Sequence, residues 1–273
     1  MLGSSSENFH MRLLLFLAAA ALAACGNPTS SAPATTTQAA AATTTQAAST
    51  SNRSPIWFFC DGIDAPVVYL FANTSTQNQT RFVEYDKHTG ATVRSLDLQL
   101  GEGDGAAGSI YTPLQQNGQD FGHVRQVQAG NFETPAAAYT TPYTSVQIGD
   151  RNVECRWLPR TRVAGFTGRR SFVIHEDDDG DLIYTTFDFA NAATQAIDQS
   201  DNGRSTRFSV EVRGGQESVR PDGSDFTFSG RDGFSYHVTL KNDGSGQLQV
   251  LRNGAQVQSE PLTAYIVGQA SQD

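Results

Sequence analysis

This chain of 273 residues lacks the signatures by which most catalytic sites announce themselves. It has no Gly-x-Ser-x-Gly elbow, no His-Glu-x-x-His, no phosphate-binding glycine loop and no Cys-x-x-Cys. Those absences remove the common routes to serine hydrolysis, zinc proteolysis, nucleotide binding and dithiol redox chemistry, and neither an enzyme nor a cofactor is expected. Basic residues are scarce, 19 Lys and Arg against 28 Asp and Glu for a net charge of −9, so the chain is not expected to bind nucleic acid. A basic protein partner is compatible with such a balance, though most acidic surfaces serve only solubility. Long apolar runs are missing too: the one at Leu13–Leu22 is too short to span a bilayer. Helical periodicity is nearly absent, with 190–200 offering at most a turn or two.

What is present begins with an address. Arg12 supplies a charged start, Leu13–Leu22 an apolar core, and Leu22-Ala23-Ala24-Cys25 small residues flanking a cysteine. That pattern predicts a lipoprotein signal over 1–24, with Cys25 acylated and becoming the mature N-terminus; the alternative is an ordinary secretory signal cut near Ala24. Residues 1–10 carry no Lys or Arg, and a start at Met11 would give a compact signal. Gly26 after the cysteine, rather than Asp, resembles bacterial lipoproteins sent to the outer membrane, so the expected location is lipid-anchored and periplasm-facing. From 25 to 54 the chain is rich in Thr, Ala, Gln, Ser and Pro and repeats Thr-Thr-Thr-Gln-Ala-Ala. With almost no large apolar side chains to offset its ordering entropy, this stretch is expected to be a disordered tether of about 30 Å typical reach.

The folded part then runs from about 55 to 273. Alternating apolar residues mark strands near Ile56–Cys60, Val67–Phe71, Arg81–Tyr85, Ala91–Leu98, Ser145–Ile148, Asn152–Trp157, Ser171–His175, Leu182–Phe189, Thr206–Arg213, Asp225–Ser229, Phe234–Leu240, Gly246–Leu251 and Pro261–Val267. Turn residues separate them, among them Asp178-Asp179-Gly180, Gly214-Gly215 and Asn253-Gly254. An all-β, antiparallel, hairpin-rich barrel or sandwich follows. Phe71-Ala72-Asn73 recurs as Phe189-Ala190-Asn191, Thr80-Arg81-Phe82 as Thr206-Arg207-Phe208, and Gly108-Ser109-Ile110-Tyr111 is echoed by Gly233-Phe234-Ser235-Tyr236. The shared order points to two similar β halves, 55–160 and 165–273. Besides Cys25 only Cys60 and Cys155 remain, in a compartment that permits disulfides: either they pair, closing a loop of about 95 residues, or they are buried thiols.

Two local patterns invite chemistry. His175-Glu176-Asp177-Asp178-Asp179-Gly180-Asp181 places Asp177, Asp179 and Asp181 at alternate positions, as a calcium loop would. With Gly180 as the sixth loop residue, however, the first would be His175 and the twelfth Thr186, so the anchoring carboxylates are missing and an acidic hairpin is the simpler reading. Gly101 to Ser109 is glycine-rich and suits a narrow projecting loop, with Tyr111 as an anchor.

Phe58-Phe59-Cys60-Asp61-Gly62, Ala107-Gly108-Ser109-Ile110-Tyr111 and Val153-Glu154-Cys155 together resemble the membrane-anchored inhibitors of c-type lysozyme. These lipoproteins carry a small antiparallel barrel that begins with an aromatic-x-Cys-x-Gly stretch and ends on a second Cys. A Ser-Gly-x-x-Tyr loop faces the lysozyme cleft. The resemblance covers about 100 residues; Ala107 stands where the motif has Ser, and no Lys-Gly lies between Tyr111 and Cys155, leaving Arg125 or Arg151 as substitute cations. It implies a protein that binds and blocks a lysozyme-like peptidoglycan glycosidase, as an inhibitor or immunity factor. Gly108, Ser109 and Tyr111 would enter the cleft while Glu102 and Asp104 meet flanking cations. The alternative expectation is an envelope-structural or assembly lipoprotein that binds another protein without inhibiting it.

Overall fold

The computed structural model describes residues 56–191 and 208–269. The signal segment, Cys25, the tether and Thr206-Arg207 lie outside the described residues, as does most of the 190–200 stretch. The regular elements are almost all strands: β1 (Ile56–Asp61), β2 (Val67–Asn73), β3 (Gln79–Asp86), β4 (Thr92–Leu100), β5 (Asp104–Ala106), β6 (Ser109–Gln116), β7 (Gln119–Val127), β8 (Tyr143–Ile148), β9 (Arg151–Glu154), β10 (Thr161–Phe166), β11 (Arg170–Glu176), β12 (Leu182–Asp188), β13 (Val210–Arg220), β14 (Gly223–Ser229), β15 (Phe234–Lys241), β16 (Gly246–Arg252), β17 (Ala255–Pro261) and β18 (Ala264–Val267). Short 3-10 turns at Ala129–Asn131, Pro135–Ala137 and Phe189–Asn191 are the helical content.

These strands form two nine-stranded antiparallel sheets, β1 to β9 and β10 to β18, so the two halves are successive meanders. The first runs β1-β2-β3-β4-β6-β7-β8-β9, with β5 attached to β6. It curls back on itself: Arg156 N–H donates to Asp61 O and Ile63 N–H to Glu154 O, both at 2.9 Å, around a Gly62↔Cys155 bridge. Cys60 and Cys155 are disulfide-bonded beside that bridge, with Cα atoms 4.8 Å apart. Phe58, Tyr69, Phe71, Phe82, Leu98, Leu114, Val124, Val146 and Val153 fill the interior. Alternation decides this: along β3, Thr80, Phe82 and Glu84 point in while the residues between them do not.

The second sheet closes by bending strands instead. β13 pairs with β12 through Val210–Gly215 and with β14 through Gln216–Arg220. The bend falls at Gly214-Gly215, where Gly214 has φ +77° and a Cβ on Gly215 would sit 2.0 Å from the Phe228 ring. The glycine pair expected to be a turn is thus a corner inside one long strand, because glycine permits both the left-handed backbone and the close approach of a core ring. The opposite corner is Leu262-Thr263, which joins β17 on β16 to β18 on β10. Phe172, Ile174, Tyr184, Val212, Phe226, Phe228, Val238, Leu248 and Leu262 fill this interior. Of the repeated segments noted in the sequence, those wholly described fall on or beside β2, β3 and β6 in the first half and β12 and β15 in the second.

Candidate functional site

The glycine-rich stretch is not an open loop. Asp104, Gly105 and Ala106 pair with Tyr111, Ile110 and Ser109, so β5 and β6 form a hairpin whose tip is Ala107-Gly108. Both tip residues have positive φ, 46° and 78°, the backbone a tight two-residue turn requires. The tip is clamped from behind: Gly108 O accepts from Gln128 N–H at 3.0 Å and from Asn131 Nδ2 at 2.8 Å. Glu102 and Asp104 are exposed beside it, whereas Ser109 is 3 % exposed and its Oγ accepts from Arg125 Nε at 3.1 Å. Tyr111 lies edge-on to His123 at 5.2 Å, on the outer face it shares with Arg125. The hairpin therefore brings Glu102, Asp104 and Gly108 to the surface, while the Ser109 hydroxyl, on the face shared with Tyr111, is covered and bonded by Arg125. Arg151 is elsewhere, 3.4 Å from Glu84 in the first barrel.

The acidic hairpin between β11 and β12 is held by its own backbone. Asp177 Oδ1 accepts from Asp179 N–H at 3.1 Å and Asp181 N–H at 2.9 Å, while Arg160 pairs with Asp178. This is an Asx-type turn, with the Asp177 carboxylate consumed by local amides. Among the described residues no group of three or more His, Cys, Asp or Glu side chains is placed to hold a metal ion.

The two barrels meet along a seam that sequence reasoning missed. Phe59, Val68 and Leu70 on the outside of the first pack against Phe166, Phe189 and Ala264 of the second half. Within it sits an ionic cluster. Asp61 is 2 % exposed; its Oδ1 lies 2.5 Å from Lys87 Nζ, and its Oδ2 accepts from Arg156 Nε at 2.8 Å and Ser171 Oγ at 2.5 Å. Lys87 also donates to Gly62 O at 2.5 Å, and the Arg156 guanidinium stacks 3.4 Å over the Phe187 ring. Burial alone would raise the Asp61 pKa, but Lys87 and then Arg156 outweigh it and bring it down to about 2. Lys87 shifts down from its usual value, because burial and Arg156 disfavour its charge more than Asp61 favours it. One signal was available: the chain has only two lysines, and the other, Lys241, is exposed.

Beside the seam lies an open groove of about 690 Å³ lined by Trp57, Tyr139, Tyr143, Asp243, Tyr265 and Val267 among others. Trp57 Nε1 donates to the Tyr143 hydroxyl oxygen at 2.6 Å, and Tyr139 O–H donates to Glu176 at 2.9 Å, so the rings are fixed by their polar tips. Its wall residues come from β1, the segment before β8, the β15–β16 turn and β18, which no local sequence pattern links. No family profile, curated protein or solved structure matches this chain.

Proposed function

We propose that this is a lipid-tethered protein of the bacterial outer membrane, facing the periplasm, that binds and blocks a basic, lysozyme-like peptidoglycan glycosidase through the β5–β6 hairpin. The observation that carries this reading is the clamped acidic tip: Ala107-Gly108 is held by Gln128 and Asn131, with Glu102 and Asp104 exposed alongside. A rigid tip loses little conformational freedom on insertion, and its carboxylates suit a cationic cleft rim. The barrel that carries it, with Cys60 in its first strand and Cys155 after its last, also fits the resemblance to c-type lysozyme inhibitors. Because the Ser109 hydroxyl is engaged by Arg125, contact with the partner falls to Glu102, Asp104 and the tip backbone.

The test is residual muramidase activity of a c-type lysozyme, and of a lysozyme-like effector, titrated with the purified protein. Stoichiometric inhibition that disappears in the Glu102→Lys, Asp104→Lys double variant is expected. Full activity of both enzymes at large molar excess would favour the second reading, a tethered envelope protein that binds a partner without inhibiting it. The groove between the barrels is the observation that favours that reading.

A further inference from the structure

The hairpin has little support of its own. β5 pairs with β6 alone among the described residues, and its three residues are exposed. So short a pairing at the end of a sheet offsets little of the ordering entropy of its turn. The grip on the Gly108 carbonyl therefore decides how rigid the tip is. That grip comes from the long connection between β7 and β8, residues 128–142, a length at which a connection usually has a task.

The connection is a strap with two ends. At the first, Gln128 and Asn131 hold the tip, and the 3-10 turn that carries Asn131 is closed by Phe132 N–H donating to Ala129 O at 3.0 Å. Phe132 then stacks on Trp157, with ring centres 4.9 Å apart and planes 20° from parallel. Trp157 is buried, and its Nε1 donates to Thr140 Oγ1 at 3.0 Å, so the strap holds one ring at its face and its edge. At the second end the strap is bound to the second barrel. Ala137 O accepts from Arg160 N–H at 2.6 Å, at the head of β10, and Tyr139 O accepts from Gln269 N–H at 3.1 Å, just after β18. Tyr139 O–H donates to Glu176 of β11, which is itself fixed by Arg162 at 2.7 Å. Gly268 permits this close approach: a Cβ there would sit 3.1 Å from Tyr139 Cβ and 3.0 Å from the Thr140 methyl.

We propose that Phe132 and Tyr139 are positioning residues of the hairpin: through the strap, the second barrel sets the rigidity of Ala107-Gly108 and so the strength with which the tip holds its partner. The link to a partner rests on the inhibitor reading; the link from strap to tip does not. A tip released from the strap would have to be ordered on binding, whereas the held tip has already lost that freedom. The second barrel thereby gains a task, since Glu102, Asp104 and Gly108 all lie on the first.

The test reads the tip directly. Amide hydrogen exchange is followed at Gln128, whose N–H donates to Gly108 O, and at the bonded amides of β5, in the purified protein and its variants. Phe132→Ala is expected to speed both about tenfold and Tyr139→Phe about threefold, while β2 and β11 keep their protection. Phe132→Tyr, which restores a stacking ring, should return the slow rates. Inhibition of the lysozyme should weaken about tenfold in Phe132→Ala, although Phe132 faces Trp157 and not the partner. Unchanged exchange at Gln128 and β5 in Phe132→Ala, or equal acceleration in every strand, would overturn the coupling. Faster tip exchange with inhibition unweakened, where the Glu102→Lys, Asp104→Lys variant has lost it, would overturn the role in binding and leave the inhibitor reading standing. Absence of inhibition by the parent protein removes that reading, and the exchange rates alone then decide the coupling. Should Phe132→Ala fail to fold, Phe132→Leu and Tyr139→Phe carry the same comparison.

Discussion

The two barrels solve one problem in different ways. Each must bring the last strand of a meander back to the first, since an open sheet would leave unpaired edges. The first does so with a four-residue strand, β9, and a single backbone bridge beside the Cys60–Cys155 disulfide. The second uses continuous chain: β17 and β18 are two arms of one bent strand, each arm pairing with a different end of the sheet. A short closing strand supplies few hydrogen bonds, so its closure relies on a covalent link; a long bent one supplies its own. The barrel without a disulfide is accordingly the one with a glycine corner, at Gly214-Gly215.

Removing the link should have the largest effect. Cys60→Ala with Cys155→Ala frees a loop of 95 residues' separation and is expected to cost about 4–5 kcal/mol in the chain-entropy view. Denaturant unfolding measures the total, and native-state hydrogen exchange localises it. Faster exchange in β1 and β9, with β11 and β15 nearly unchanged, would uphold the contrast between the barrels; equal loosening of both would break it. Next is Asp61→Ala, which leaves Lys87 and Arg156 buried without their carboxylate, at about 3–4 kcal/mol. Since Asp61 reaches Ser171 of the second barrel as well as Lys87 and Arg156 of the first half, both barrels should loosen together.

The same carboxylate sets an acid limit. Its folded pKa of about 2 lies below the ordinary 3.8, so it stabilises the fold above about pH 4 and that contribution is lost as pH falls toward 2. A difference of nearly two pKa units corresponds to about 2–3 kcal/mol, and in Asp61→Ala this part of the acid dependence should vanish. Stability measured between pH 5 and 2 in both proteins checks it, and parallel curves would refute the assignment. A smaller change tests the glycine corner: Gly215→Ala pushes a methyl against the Phe228 ring and should cost about 2 kcal/mol, confined to the second barrel.

How far these features were legible depends on pattern length. Strands with clean alternation, such as Leu182–Asp188 or Phe234–Lys241, could be read directly because one face is core. β6 and β7 could not: Pro113 and Gly122 interrupt their alternation, so neither is among the strands expected from the sequence. β17 was hidden for the opposite reason, since Ala-Gln-Val-Gln-Ser-Glu-Pro offers a single large apolar residue while Glu260 turns inward to Arg170 at 3.1 Å. The Cys60–Cys155 pairing was one of the two readings that the cysteine count left open. The seam was not legible, because Asp61, Lys87, Arg156 and Ser171 are up to 110 positions apart and none has an unusual neighbour.

The hairpin shows the same limit at one residue. The resemblance to lysozyme inhibitors assigned the Ser109 hydroxyl to a partner; here Arg125 binds it while Gln128 and Asn131 hold the neighbouring Gly108 carbonyl, and no periodicity foretells that. Ser109→Ala therefore removes one internal hydrogen bond and should lower stability by about 1 kcal/mol without altering inhibition of the glycosidase. The exposed Glu102→Lys, Asp104→Lys pair should do the reverse, abolishing inhibition at little cost to stability. Measured side by side, the two variants separate the residue that builds the hairpin from those that would use it; loss of inhibition in Ser109→Ala at unchanged stability would return the contact to the serine.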